Sequence, residues 1–296
     1  MKNLLNKMLT QKQYQDLANT KKEGFRLTKS LLLSPVKALS PTLKLNLNSE
    51  INVVEKMDYE RYDIWLNIDS QTEYKVRLNS CKKEPDTVEW LESFLQEGDV
   101  FYDIGANVGV YSFVASKYFA EKVKIYAFEP AFMNFGQLCK NIYLNKCQDN
   151  IIPLQIALSD QTILDSFNYS SLTIGGAQNT LGEAIDEKGQ AFARVFKQYI
   201  LSYKIDDLIE NFGLPVPNHL KIDVDGIEFL VLKGADQTLA NSLVRSLIVE
   251  LSEGEREQEV INYLLNKGFQ LHSKYPRATP GLFNYIFQRV TANFSD

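Results

Sequence analysis

Three stretches of this chain set acids, an amide and glycines at spacings that chemistry can use. The first is Asp103-Ile104-Gly105-Ala106-Asn107-Val108-Gly109, an acid that follows the apolar run Val100-Phe101-Tyr102 and leads into closely spaced glycines. Glycine has no Cβ to block a ligand or forbid positive φ, so such a turn lets backbone approach a bound molecule closely. The second is Glu129, which closes the apolar run Ile125-Tyr126-Ala127-Phe128. A carboxylate in that place can accept both hydroxyls of a ribose. The third is Lys221-Ile222-Asp223-Val224-Asp225, where charged and apolar residues alternate. In an extended strand this puts Lys221, Asp223 and Asp225 on one face. A carboxylate kept ionised by a neighbouring lysine can take a proton from an alcohol.

The elements needed to hold these groups can be read around them. Strand, glycine turn, helix, strand and acid is the order in which a doubly wound sheet builds one end of a nucleoside pocket. The spacing predicts strands at 100–103, 124–128, 151–158, 219–223 and 247–250, with helices over 109–119, 131–144 and 255–267. Phe269–His272 and Tyr285–Gln288 predict a closing pair of strands around a loop holding Pro276, Pro280 and Gly281. The expected fold class is therefore α/β and Rossmann-like, with seven mostly parallel strands and an antiparallel terminal strand. Residues 162–203 break the rhythm and are too long for an ordinary connection, as a lid or substrate loop would be. Ahead of the sheet, residues 1–95 read as a helical and β-hairpin extension to a domain spanning 96–296. A first helix is expected around Leu4, Leu5, Met8 and Leu9, as a candidate homo-oligomer contact. The hairpin is expected from Tyr62–Ile68 and Tyr74–Leu78, turning at Asp69-Ser70-Gln71-Thr72. A helix is expected to open at Glu84-Pro85.

The leading acid decides which nucleoside fits. A nicotinamide dinucleotide needs its pyrophosphate cradled by glycines, and Asp103 would place a negative charge against it. This turn also falls short of the three-glycine dinucleotide spacing. S-adenosylmethionine carries a sulfonium and an ammonium and no phosphate, so the same acid favours it. The expected cofactor-binding residues are Asp103, Gly105, Ala106, Asn107, Gly109 and Glu129, with Ile156 and Ala157 bordering the adenine. Asp223, Lys221 and Asp225 are the candidate catalytic residues. A lysine and two acids are out of place in a central parallel strand, which is normally apolar on both faces. One reading is a buried ion pair between Lys221 and Asp223 that fixes the strand end. The other is Asp223 as base or cofactor contact, held ionised by Lys221. No metal ligands are assigned, although Glu250 with the two Asp residues could supply oxygens to a hard ion such as Mg²⁺.

At these positions the chain resembles the FkbM-type S-adenosylmethionine-dependent methyltransferases. The motifs are Asp103–Gly109, Ala127-Phe128-Glu129-Pro130, Ala157-Leu158-Ser159-Asp160 and Leu220–Glu228, with Lys83-Glu84-Pro85 and Val231–Ala235 also similar. The resemblance covers about residues 75–290. It implies a class I methyltransferase fold and transfer to a hydroxyl of a sugar, polyketide or related metabolite. The family usually has Glu where this chain has Asp225, one methylene shorter. A nicotinamide-dependent oxidoreductase, and a non-catalytic binding protein on the same scaffold, are the competing readings.

Bulk properties restrict the partners. A net charge of −5 without a long basic run gives no electrostatic footprint for nucleic acid. Three cysteines, odd in number and without metal-type spacing, suggest reduced thiols and a cytoplasmic location. Leu31-Leu32-Leu33 is too short to span a bilayer, so no stable membrane insertion is expected. The expected partner is a small-molecule or glycan-precursor acceptor. His219 opens its strand, at the end away from the motifs, and reads as structural. Asp206 and Asp207 read as helix caps.

Overall fold

The computed structural model describes residues 28–30, 33–184 and 190–290. The helix expected around Leu4 to Leu9 lies outside them. The chain divides into two compact units, 1–52 and 53–296. In the first, helix α1 (Pro41–Glu50) is capped by Ser40, whose Oγ accepts from the Leu43 amide. No helix among the described residues is long and apolar enough to cross a membrane.

The second unit opens with strands β1 (Val54–Lys56) and β2 (Trp65–Asn67), followed by helices α2 (Gln71–Lys75) and α3 (Pro85–Phe94). Strand β3 (Val100–Ile104) leads through the glycine turn to helix α4 (Val110–Tyr118), then β4 (Lys124–Phe128), helix α5 (Phe132–Asn145) and β5 (Ile151–Leu154). Four further strands follow: β6 (Ala157–Leu158), β7 (Ile163–Tyr169), β8 (Thr180–Leu181) and β9 (Phe196–Tyr203). The chain continues through α6 (Ile205–Phe212), β10 (His219–Ile222), α7 (Glu228–Lys233), α8 (Asp236–Ala240) and β11 (Ser246–Ser252). It ends with α9 (Glu255–Asn266), β12 (Phe269–Pro276) and β13 (Leu282–Arg289).

The main sheet has seven strands in the order β12-β13-β11-β10-β3-β4-β5. Its central pairs are parallel, and β13 runs antiparallel to both β11 and β12. This is the class I methyltransferase arrangement expected from the motifs. Alternate side chains feed two cores, as the period of a strand requires. Phe101, Ile125, Ala127 and Ile248 enter one with Trp90 and Phe113. Tyr102, Ile104, Phe128, Leu220, Ile222 and Val249 enter the other.

Residues 53–95, read from sequence as part of an extension, share the first of these cores through Met57, Ile64, Leu66, Trp90 and Leu91. The expected hairpin is not formed by its two predicted strands. Trp65–Asn67 pairs antiparallel with Val54–Lys56 instead. The residues taken as its turn start a helix: Ser70 Oγ accepts from the Glu73 amide at 3.0 Å, and the Glu73 carboxylate accepts from the Asp69 amide. Ser70-Gln71-Thr72-Glu73 thus acts as a Ser-x-x-Glu helix-start signal, which outweighs the period-two pattern that follows. The free edge of β2 is received by a row of buried amides one helical turn apart on α5. Asn145 and Asn141 accept from the Trp65 and Asn67 amides, and Gln137 donates to the Asn67 carbonyl.

The strand expected over 151–158 is divided. Ile151–Leu154 forms the sheet edge, while Ala157–Leu158 joins a separate four-stranded sheet ordered β6-β9-β7-β8. Pro153 suits an edge position, where its missing amide proton breaks no ladder. Three strands of this second sheet, β7, β8 and β9, come from the long insertion.

One contact fixes the glycine turn on the main sheet. Gly105 has φ +80°, and a Cβ built on it would stand 1.8 Å from the Asp223 carbonyl oxygen. Both the backbone conformation and the space therefore demand glycine. Gly105→Ala is expected to lower stability by about 2–4 kcal/mol through this backbone collision. Urea unfolding checks it, and a loss below about 0.5 kcal/mol, the range of neutral surface changes, would contradict it.

Candidate active site

The carboxyl ends of β3, β4 and β10 border a cavity of about 230 Å³. Seven of the predicted site residues line it: Gly105, Asn107, Glu129, Ile156, Ala157, Asp223 and Asp225. Asp103, Ala106, Gly109 and Lys221 do not, and Asp103 is completely buried. Asp103 lies behind the cavity wall and is joined to it through Lys221. Strand register sets Asp103 beside Lys221, and that lysine bridges Asp103 at 3.4 Å and Asp223 at 3.5 Å. Ser112 Oγ donates to the other Asp103 oxygen at 2.7 Å. Only the cavity end of this chain of charges meets solvent, with the Asp223 side chain 29% exposed against 5% for Lys221 and 1% for Asp103.

The buried ion pair of the first sequence reading is thus formed, and its Asp223 borders the cavity. Burial works to discharge the lysine, but Asp103 and Asp223 outweigh it and raise its pKa. Burial likewise works to protonate Asp223, and Lys221, Arg277 and Arg77 overcome it, holding Asp223 below the ordinary carboxylate range. The pair is ionised, and its acid faces the cavity.

Arg277 makes a second buried centre. It pairs with Glu84, and its Nε lies 2.8 Å from Glu250. Burial and the neighbouring Asp223 charge push Glu250 upward. Glu250, considered above as an oxygen ligand, is thus held by an arginine. Among the described residues no group of three or more His, Cys, Asp or Glu is arranged to hold a metal ion. Glu84 and Arg277 are 193 residues apart in the sequence (277 − 84). No local spacing announces their meeting, which requires the closing hairpin to fold back.

At the other end, Glu129 accepts from the Asn107 and Ala131 amides, each at 2.8 Å, yet burial drives it up to about 7. Asn107 takes φ +52° and donates from Nδ2 to the Gly176 carbonyl, while its buried Oδ1 has no hydrogen-bond partner. Past β10 the chain turns through Asp225 (φ +56°) and Gly226 (φ +108°). The Asp225 carboxylate accepts from the Gln178 amide at 2.7 Å. That amide belongs to the segment between β7 and β8, which covers the cavity with Gly176, Ala177, Gln178 and Asn179.

His219 is structural, buried between Ser246 and Asp99 at the far end of β10. Asp206 is a cap, though of a helix other than its own: it accepts from the Gln237 and Thr238 amides at the start of α8.

Glu228 Oε1 accepts from the Gly226 amide, and burial drives this carboxyl up to about 7 from 4.5. A carboxyl raised in the fold leaves stability intact below its unfolded value and costs stability as pH rises through the folded one. Glu228→Gln keeps the acceptor and removes the charge. It is expected to match the native protein near pH 4.5 and to exceed it by up to about 3 kcal/mol above pH 8, by urea unfolding. An unchanged difference between the two conditions would contradict the shift.

Residues 103–271 match the methyltransferase FkbM domain. The hexuronic acid methyltransferase AglP of Haloferax volcanii is 29% identical over 188 residues, covering 64% of this chain and 70% of that protein. The methyltransferase sdnD of Sordaria araneosa is 29% identical over 208 residues, covering 63% and 80%. Among solved structures, M. jannaschii TYW2 in complex with AdoMet aligns with 81% of this chain and 87% of its own, at 14% identity and a TM-score of 0.43. The nicotinamide alternative finds no counterpart among these relatives. The chain belongs to the FkbM methyltransferase domain family and is an S-adenosylmethionine-dependent methyltransferase.

Proposed function

We propose that the enzyme methylates a hydroxyl of a sugar, glycan precursor or related small metabolite, with Asp223 as the general base. The observation that carries this reading is a cavity-facing carboxylate held ionised by a buried lysine. An unactivated alcohol is barely ionised near neutral pH, so its proton must be removed as the new bond forms. Asp223 receives that proton at its carboxylate, and Lys221 keeps the carboxylate ready to accept it. Asp103 acts one step back by stabilising the lysine. Asp225 braces the covering segment through Gln178. Proton removal falls to Asp223 rather than to a divalent ion such as Mg²⁺, because Glu250 is held by Arg277.

The residues present suit the donor. Gly105 borders the cavity with bare backbone, its Cβ position being taken by the Asp223 carbonyl, and Asn107 offers an orphaned buried acceptor. Glu129 stands where ribose hydroxyls can be accepted, and Ile156 and Ala157 give an apolar border for adenine. When bound, S-adenosylmethionine supplies a methyl group on a positively charged sulfur. The chain's part is to align the acceptor oxygen with it and exclude water.

A sugar acceptor draws support from AglP, a hexuronic acid methyltransferase. All three cysteines are free thiols, which supports a reducing, cytoplasmic setting. Turnover by Asp223→Asn on a panel of hexuronic acids and their glycosides is expected to fall about 10²–10⁴-fold, the usual contribution of a general base. Donor affinity by calorimetry should stay within about threefold, under 1 kcal/mol. Native turnover in that variant would remove the base assignment.

A further inference from the structure

Three cations line the cavity, namely Arg77, Lys83 and Arg277. Lys83 pairs with Glu84 at 3.3 Å, and Arg277 with Glu84 and Glu250. Among the described residues Arg77 has no carboxylate at ion-pair distance. Its Nε donates to the Gly175 carbonyl at 2.9 Å, which orients the guanidinium and leaves its two terminal nitrogens for another partner. It lines the same cavity as Glu129 and Asp223, and its positive charge favours the ionised form of both.

This wall presents Glu129, Asp223, Asp225 and Glu250. An α-carboxylate brought near Asp223, the acid held ionised here, is repelled unless a cation meets it, and guanidinium is the group best shaped to hold a carboxylate by two bonds. An α-ammonium needs acceptors, and Asn107 Oδ1 is a buried acceptor without a donor. Both side chains hold consecutive carbonyls of the covering segment, Arg77 at Gly175 and Asn107 at Gly176. Those positions require glycine: a Cβ on Gly175 (φ +75°) would meet Glu73 Cγ at 2.9 Å, and one on Gly176 would meet the Thr173 oxygen at 2.8 Å.

We propose that Arg77 binds the carboxylate of the donor's amino-acid arm, with Asn107 Oδ1 taking its ammonium. The covering segment is held by the same two side chains. This rests on reading the cavity as the methyl-donor site. Arg77 precedes the family-matched span of 103–271, so the assignment adds a binding residue from outside that span.

The test compares two ligands by calorimetry. S-adenosylhomocysteine has the amino-acid arm, and 5′-methylthioadenosine keeps the nucleoside and thioether without it. Arg77→Met is expected to weaken S-adenosylhomocysteine at least about tenfold and leave methylthioadenosine within about twofold, as loss of one charge-assisted pair predicts. Arg77→Lys should recover part of the loss. Parallel weakening of both ligands would show that Arg77 only holds the covering segment, and no weakening of either would also overturn the assignment. Failure of the native protein to bind either ligand would instead remove the donor-site reading and the proposal with it.

Discussion

A lysine in the middle of a parallel sheet needs compensating charge, and the site is built on how Lys221 obtains it. Moving an ammonium out of water is costly unless carboxylates and hydrogen bonds replace the lost hydration. The neighbouring strand β3 contributes Asp103 at the same register level, and β10 itself contributes Asp223. The result is a row of alternating charge from the glycine-turn strand to the cavity. Its inner acid is sealed, whereas its outer acid is accessible. That asymmetry leaves one carboxylate of a buried ion pair facing the cavity.

The same logic is repeated one strand further along. Arg277, brought in by the closing hairpin, bridges Glu84 and Glu250. Two buried cations thus stabilise acids from four directions, and the site's acidity is set by which acid each cation serves. Asp223 feels both and is held low, whereas Glu250 is raised by burial and by Asp223. Glu129 has backbone donors in place of a lysine or arginine and is raised to about 7. Three acids bordering one cavity therefore present three different ionisation behaviours, set by burial and by the nearest positive group.

What the sequence made legible is local. The glycine turn, most strand positions and the mostly parallel seven-stranded sheet follow from motifs and periodicity, because each signal rests on residues close together in the chain. Gly105 is recognisable as an exposed-backbone position, although its other partner, the Asp223 carbonyl, is visible only in three dimensions. The hairpin over 62–78 misled because period two in a short run is weaker than a Ser-x-x-Glu helix start. The amide row Gln137, Asn141 and Asn145 reads as polar surface until β2 is seen resting on it. The place of Arg77, Glu84 and Arg277 at the cavity was not legible, since each is held by a partner distant in sequence.

The central claim is that Asp223 is an ionised carboxylate throughout the neutral range because Lys221 lies behind it. Carbon NMR of the enzyme labelled at aspartate side-chain carboxyls, assigned by comparison with Asp223→Asn, reads this directly. The Asp223 signal is predicted to hold its ionised position from about pH 8 down to below about pH 4, the ordinary aspartate value. A protonation midpoint near neutral pH would contradict the account.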